Sequence, residues 1–171
     1  MFNVLIASPG DIIVERKIVS EICSGITEGI LPNSMGLSFR VTKWEDVFSS
    51  AMSTPDIIKK IAEDYDIFVC IFYKKICSFP DRGASESLKE FLSSYDSWKS
   101  MKKPYSMFFF KTMKDPSPQD SDDPELIKVL DLKEKIKNND LFIHEEFSAP
   151  YEFCATAHDH IEQWAAENTK A

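Results

Sequence analysis

Glycine is scarce in this chain, with five among 171 residues, and none of them builds a known phosphate loop. The first turn, Ser8-Pro9-Gly10-Asp11, has neither the Gly-Lys-Ser/Thr of a P-loop nor a G-x-G-x-x-G fingerprint. Histidine is scarcer still. His144, His158 and His160 all fall in the last fifth of the chain, and no Gly-x-Ser-x-Gly elbow is present, so a serine-hydrolase triad has no basis. His158-Asp159-His160 belongs to a helical stretch, where residues two apart point in different directions, which argues against a shared metal. The four cysteines lie far apart without C-x-x-C pairing. Cys23, Cys70 and Cys154 sit in apolar patterns and are expected as core thiols, with Cys77 in a loop. The longest apolar run, Ile67 to Tyr73, has the length of one buried strand and not of a membrane span. Met1-Phe2-Asn3 leads straight into a strand without a basic n-region, so the expectation is no signal peptide, no membrane and a reducing, cytoplasmic setting. A net charge of −8, with basic clusters only at Lys74-Lys75 and from Lys99 to Lys103, argues against a nucleic-acid-binding face.

What is present is a regular alternation of strands and helices. With 43% apolar residues the chain can bury a full core, and residues 1–171 are expected to form a single domain. Asn3 to Ala7 reads as a strand, and Ile12 to Glu28 as a helix burying Ile18, Val19, Ile22 and Ile26. Asp11 is the expected N-cap, and Glu15 complements the helix dipole. Leu37 to Lys43 is a second strand leading into Trp44-Glu45-Asp46. Thr54-Pro55 caps a short helix with Ile57, Ile58, Ile61 and Tyr65 on one stripe. Asp66 to Tyr73 and Pro104 to Phe110 are apolar on both faces, as buried parallel strands are. Between them Ser87 opens a helix carrying Leu88, Phe91, Leu92, Tyr95 and Trp98. Thr112 to Asp123 has no apolar pattern and is a loop. Asp123-Pro124 starts a helix with Leu126, Val129, Leu130, Leu132 and Ile136. A short strand, Leu141 to Ile143, precedes a final helix opened by Ser148-Ala149-Pro150, with Phe153, Ala157, Ile161 and Trp164 inward. Five β-α units without repeat or linker imply a flavodoxin-like three-layer α/β sandwich with a five-stranded parallel sheet in the order 2-1-3-4-5.

In such a sheet ligands bind beyond the carboxyl ends of the strands, where the strand order reverses. That crevice would gather Ser8 to Asp11, Trp44 to Asp46 and Tyr73 through Ser87. A receiver domain is excluded, because the third strand ends in Phe72-Tyr73 and not in a phosphoacceptor Asp. A flavin phosphate loop is excluded because the first turn offers a single hydroxyl. The third junction, Ser87-x-x-Glu90, is a capping box that places Glu90 in the first turn of a helix at the crevice rim. The helix N-terminus keeps that carboxylate ionised. A carboxylate beside a ribose can stabilise an oxocarbenium-like transition state or attack the anomeric carbon. The plain alternative is that Glu90 only caps its helix.

Ser8-Pro9-Gly10-Asp11 with Glu15-Arg16, Trp44-Glu45-Asp46, the strand Asp66 to Tyr73, Arg82-x-x-Ser85-x-Ser87-x-x-Glu90-Phe91, Lys103-Pro104 and the tail from Leu132 to Trp164 together resemble a TIR-like family. The resemblance spans the whole chain and rests on the order and spacing of motifs that are individually weak. It implies a bacterial, defence-related signalling or interaction domain that self-associates, with a fused or separate NTPase or repeat partner domain and a nucleotide ligand. The wider superfamily, which includes TIR domains and nucleoside 2-deoxyribosyltransferases, implies Glu90 as the catalytic residue of an NAD or nucleoside N-glycosidase. NAD would then be a substrate, with no cofactor. By the same resemblance Ser8, Pro9, Gly10 and Asp11 line the pocket, Trp44, Tyr73 and Arg82 contact base or phosphate, and Ser87 stands beside Glu90. The chain departs from the family at Ser85-Glu86-Ser87, where Ser-Gly-Thr is common, and at Lys75-Ile76-Cys77, where an aromatic-Gly pair is usual. The interaction domain and the N-glycosidase both stay open.

Overall fold

A computed structural model describes residues 1–29, 36–47, 52–75, 103–114, 117, 119–138 and 143–168. Five strands, β1 (Phe2–Ala7), β2 (Phe39–Lys43), β3 (Ile67–Phe72), β4 (Tyr105–Lys111) and β5 (Ile143–Phe147), form one sheet in the order β2-β1-β3-β4-β5. Every neighbouring pair is parallel. The order and direction are those expected from the alternation of strands and helices. The described helices are α1 (Ile13–Thr27), the short α2 (Trp44–Val47), α3 (Thr54–Asp64), α4 (Pro124–Lys137) and α5 (Pro150–Asn168). The helix expected from Ser87 lies outside the described residues, as does Cys77.

The apolar strands explain the layering. All six residues of β3 are buried, and so are the five central residues of β4. Their side chains alternate between two cores. One gathers Leu5, Phe68, Phe72, Phe108 and Phe110 with Ile57, Ile61 and Leu132 of α3 and α4. The other gathers Val4, Ile6, Val69 and Phe109 with Val19, Phe153 and Ile161 of α1 and α5. A strand covered on both faces must be apolar on both, so the sequence pattern and the three layers have one cause.

Local signals set most of the boundaries, with several corrections. Asp11 does not cap α1. Its side chain is exposed, and the N-cap position falls to Ile12, which is fully buried and makes no side-chain cap bond. The Pro9–Ile12 turn, closed by the Ile12 N–H on the Pro9 carbonyl at 3.2 Å, sends Ile12 into the core and Asp11 to solvent. At the other end of α1, Gly29 takes a φ of +70°, the left-handed conformation that commonly ends helices. The cap of α3 is Ser53 rather than Thr54; its hydroxyl accepts from the Asp56 N–H at 3.3 Å. Asp123 caps α4 by accepting from the Glu125 N–H at 2.9 Å. Leu130 leaves the apolar stripe of α4 and is half exposed, because one residue past Val129 turns the helix by about 100°.

The loop from Thr112 is partly structured: Asp120–Asp122 form a 3-10 turn, and the Asp120 carboxylate accepts from the Ser117 N–H at 2.7 Å. The last strand, described from Ile143 to Phe147, extends past the expected end and carries His144, Glu145 and Glu146, while Leu141 and Phe142 lie outside the described residues. An edge strand tolerates these polar groups when helices supply partners for them. Glu145 meets His160 of α5 at 3.1 Å, and Glu146 meets Lys133 of α4 at 2.8 Å. Cys154, expected in the core, is exposed on α5, whereas Cys23 and Cys70 are buried. Burial pushes the Cys23 thiol up to about 12, so it behaves as an inert core group.

Glu152 completes the start of α5 as the opening Ser148-Ala149-Pro150 requires. Its carboxylate accepts from the Ser148 and Ala149 N–H groups at 2.7 and 3.0 Å and from the Ser148 hydroxyl at 2.8 Å. These bonds, led by the Ser148 N–H, hold its pKa down to about 2. A depressed folded-state pKa means that the unfolded chain binds the proton more readily, so the contribution is present above the ordinary Glu value near ~4.3. It is lost as pH falls toward about 2. Glu152→Gln is expected to lower the urea midpoint most above pH ~5, with the difference closing in acid. A deficit independent of pH would contradict this account.

Candidate functional site

The strand order reverses at β1, between β2 and β3, so the loops leaving the carboxyl ends of β1 and β3 diverge to opposite sides and open a crevice. The loop after β1 is held by one side chain. Arg16, in the first turn of α1, directs its Nε to the Ser8 hydroxyl and one terminal nitrogen to the Ser8 and Pro9 carbonyls at 2.5 and 3.4 Å. Its other terminal nitrogen pairs with Glu45 of α2. One guanidinium thus ties the β1 turn to the element that follows β2. Its rigid fork of donors suits this geometry, and a lysine ammonium cannot reproduce it. Arg16→Lys is expected to cost about 1–3 kcal/mol by leaving loop carbonyls unpaired, read from urea unfolding. A variant as stable as wild type would remove Arg16 from the clamp.

The neighbouring residue faces the other way. Glu15 is buried, with 1% of its surface exposed, and accepts a hydrogen bond from Lys111 Nζ, at the end of β4, at 2.8 Å. Lys111 Nζ also lies 5.4 Å from the centre of the Tyr73 ring, within cation–π range. Tyr73 follows β3 and packs partly buried on the α1/α5 core. Next to it, Lys74 pairs with Asp120 at 2.8 Å. That contact comes first in holding Asp120 down to about 2, followed by the Ser117 hydroxyl, and the same hydrogen bond raises Lys74.

The expected site residues fall as follows. Ser8, Pro9, Gly10, Asp11, Trp44 and Tyr73 all lie just past the carboxyl ends of β1, β2 or β3. Ser8 is buried and its hydroxyl is engaged by Arg16. Pro9 is half-buried, and Gly10 and Asp11 are exposed. A Cβ at Gly10 would meet open space, so no close approach to backbone demands glycine there. Trp44 is a core residue, 8% exposed among Ile57, Ile61 and Phe72, and presents little ring surface to a base. Tyr73 is half-buried, with Lys74 and Lys111 over its ring. Arg82, Ser87 and Glu90 lie outside the described residues.

Arg16, Glu15 and Lys111 are the residues whose roles the sequence did not disclose. Glu15-Arg16 stood in the motif without an assigned contact. Lys111 carried one signal, a charge closing a strand otherwise apolar on both faces. Chemically the edge offers paired cations: Arg16 is matched to Glu45 and engaged by the β1 turn, and the partly exposed Lys74 is matched to Asp120. Among the described residues no cluster of three or more His, Cys, Asp or Glu is placed to hold a metal ion. No helix among them is long and apolar enough to cross a membrane. No family model matches the chain, and no curated protein matches it.

Proposed function

We propose that this chain is a TIR-like signalling or interaction domain whose carboxyl-edge crevice receives a nucleotide-type anion. The observation that carries the reading is the grouping of Lys74 and Lys111 about the Tyr73 ring, 6.0 and 5.4 Å from its centre, next to the β1 turn that Arg16 holds. Guanidinium and ammonium groups complement phosphate, and a half-buried tyrosine ring offers a base or ribose a flat apolar partner. Lys74 is held by the Asp120 carboxylate in the free protein, so binding there is an exchange of partners, while Lys111 stays on the buried Glu15 and Arg16 stays on the β1 turn. A domain of this kind signals by assembling or by engaging a partner domain, so ligand and self-association are read together.

The test is calorimetric titration of the protein with NAD and with ADP-ribose, alongside light scattering for assembly and detection of released nicotinamide. Saturable binding that Lys74→Ala weakens about tenfold, matching one lost charge-assisted contact of about 1.4 kcal/mol, supports the crevice. Nicotinamide release that disappears in Glu90→Gln would move the assignment from binding module to N-glycosidase. No heat, no assembly and no release for either compound would overturn the nucleotide reading.

A further inference from the structure

A second cleft, of about 390 Å3, opens at the amino edge of the sheet, remote from the crevice just described. Three aromatic side chains line it: Phe2 at the start of β1, Tyr105 at the start of β4 and Trp164 on α5. Trp164, 7% exposed, meets Phe2 edge to face with ring centres 4.9 Å apart and also contacts Phe39 and Tyr105 at 6.3 and 6.4 Å, so it backs the cleft, and the partly exposed rings are those of Phe2 and Tyr105. Two carboxylates, Asp66 and Glu167, share the lining. Glu167 stands in the last turn of α5, which holds no basic residue, so the negative end of the helix dipole adds to its charge. Burial and then the Glu167 charge raise the pKa of the Tyr105 phenol, consistent with an acidic, poorly hydrated surface.

One cation is already seated at this cleft. Lys103 Nζ lies 3.4 Å from Asp66 Oδ1, while its side chain remains 61% exposed. The other Asp66 oxygen accepts from the Asn3 N–H at 2.9 Å, which orients the carboxylate toward the Lys103 side. From the partly exposed Phe2 and Tyr105 rings, the two carboxylates of the lining and this resident ammonium, we infer that the amino-edge cleft is a binding site for a small organic ammonium ion. Aromatic rings attract such ions through their quadrupoles, and the carboxylates supply the opposite charge. Anionic ligands are disfavoured at the same surface for the same reason. The ligand ammonium competes with Lys103, so the two residues have opposite expected effects.

The experiment is an NMR titration of the whole chain with tetramethylammonium chloride, against sodium chloride at equal ionic strength, following the Trp164 indole and Asn168 amide signals. Saturable shifts specific to tetramethylammonium are expected. Glu167→Gln should weaken the midpoint about threefold, and Lys103→Met should strengthen it about threefold, the size of a partly screened charge contact. Both substituted residues are exposed, so the fold is retained. An n-butylammonium arm identifies the source of the cation: tighter binding of this primary amine marks a lysine side chain of a protein, and tighter binding of tetramethylammonium marks a free quaternary amine. Shifts identical to those in sodium chloride, or a midpoint that neither substitution moves, would overturn the site.

Discussion

Lys111→Met is expected to destabilise the protein by about 3–5 kcal/mol, the usual result of leaving a buried carboxylate without its counter-charge. The magnitude follows from the asymmetry of the pair. Glu15 is 1% exposed, while the Lys111 side chain retains 24% exposure, so the carboxylate has no water to fall back on when the ammonium is removed. The methionine keeps an unbranched apolar stem of similar length, which confines the loss to charge and hydrogen bond. Glu15→Leu combined with Lys111→Met should recover most of the deficit, because a buried ion pair replaced by apolar side chains is often neutral. Urea unfolding of the two variants and wild type, at pH 7 and constant salt, measures both terms. A single variant within 1 kcal/mol of wild type (an order-of-magnitude limit from exposed pairs) would show that Glu15 reaches water.

Phe109→Ala should cost a similar amount, about 3–5 kcal/mol. Phe109 is fully buried in the middle of β4 and meets Phe153 of α5 edge to face, with ring centres 4.8 Å apart. Truncation removes the apolar burial and opens a cavity between sheet and helix that the paired strands on either side cannot close. Phe109→Leu, which fills most of that volume, is expected to lose well under half as much. The comparison separates packing from any effect on β pairing, since both variants keep the same backbone bonds. Equal losses for Ala and Leu would point to the strand itself rather than to the cavity.

The two predictions differ in how visible their residues were beforehand. Phe109 could be placed from sequence, because an unbroken apolar run from Met107 to Phe110 must face two covered sides. The Glu15–Lys111 pair could not, because its members are 96 positions apart and each alone resembles an ordinary surface charge. Glu15 looked like a first-turn acid serving the helix dipole, and only the neighbourhood of β4 and Tyr73 makes it a buried partner. The last strand shows the same limit. Ile143 to Phe147 holds His144, Glu145 and Glu146 between two apolar residues, and the carboxylates are tolerated because α4 brings Lys133 to Glu146 and α5 brings the His160 ring within hydrogen-bond distance of Glu145.

The candidate site divides along the same line. That Ser8, Trp44 and Tyr73 would meet at one edge of the sheet followed from a βαβ alternation and the right-handed crossovers it requires. Which of them offers a ligand anything was a tertiary matter. Ser8 is engaged by Arg16, Trp44 is core, and Tyr73 is half-buried with the Lys111 ammonium 5.4 Å from its ring centre.

The turn Ser8-Pro9-Gly10-Asp11 marks where the physical boundary lies. Sequence alone determined the layered parallel sheet, its strand order and the edge at which a ligand would sit, because periodicity reports which residues face an apolar layer and chain connectivity restricts how strands can neighbour. Tertiary structure alone decided that Ile12 and not Asp11 precedes the helix proper, that Arg16 holds the turn, and that Glu15 is buried against Lys111. Hydrophobic burial is a property of each residue and its near neighbours, readable as a pattern. The pairing of charges depends on which distant segments the fold brings within about 3 Å, and no local pattern encodes that distance.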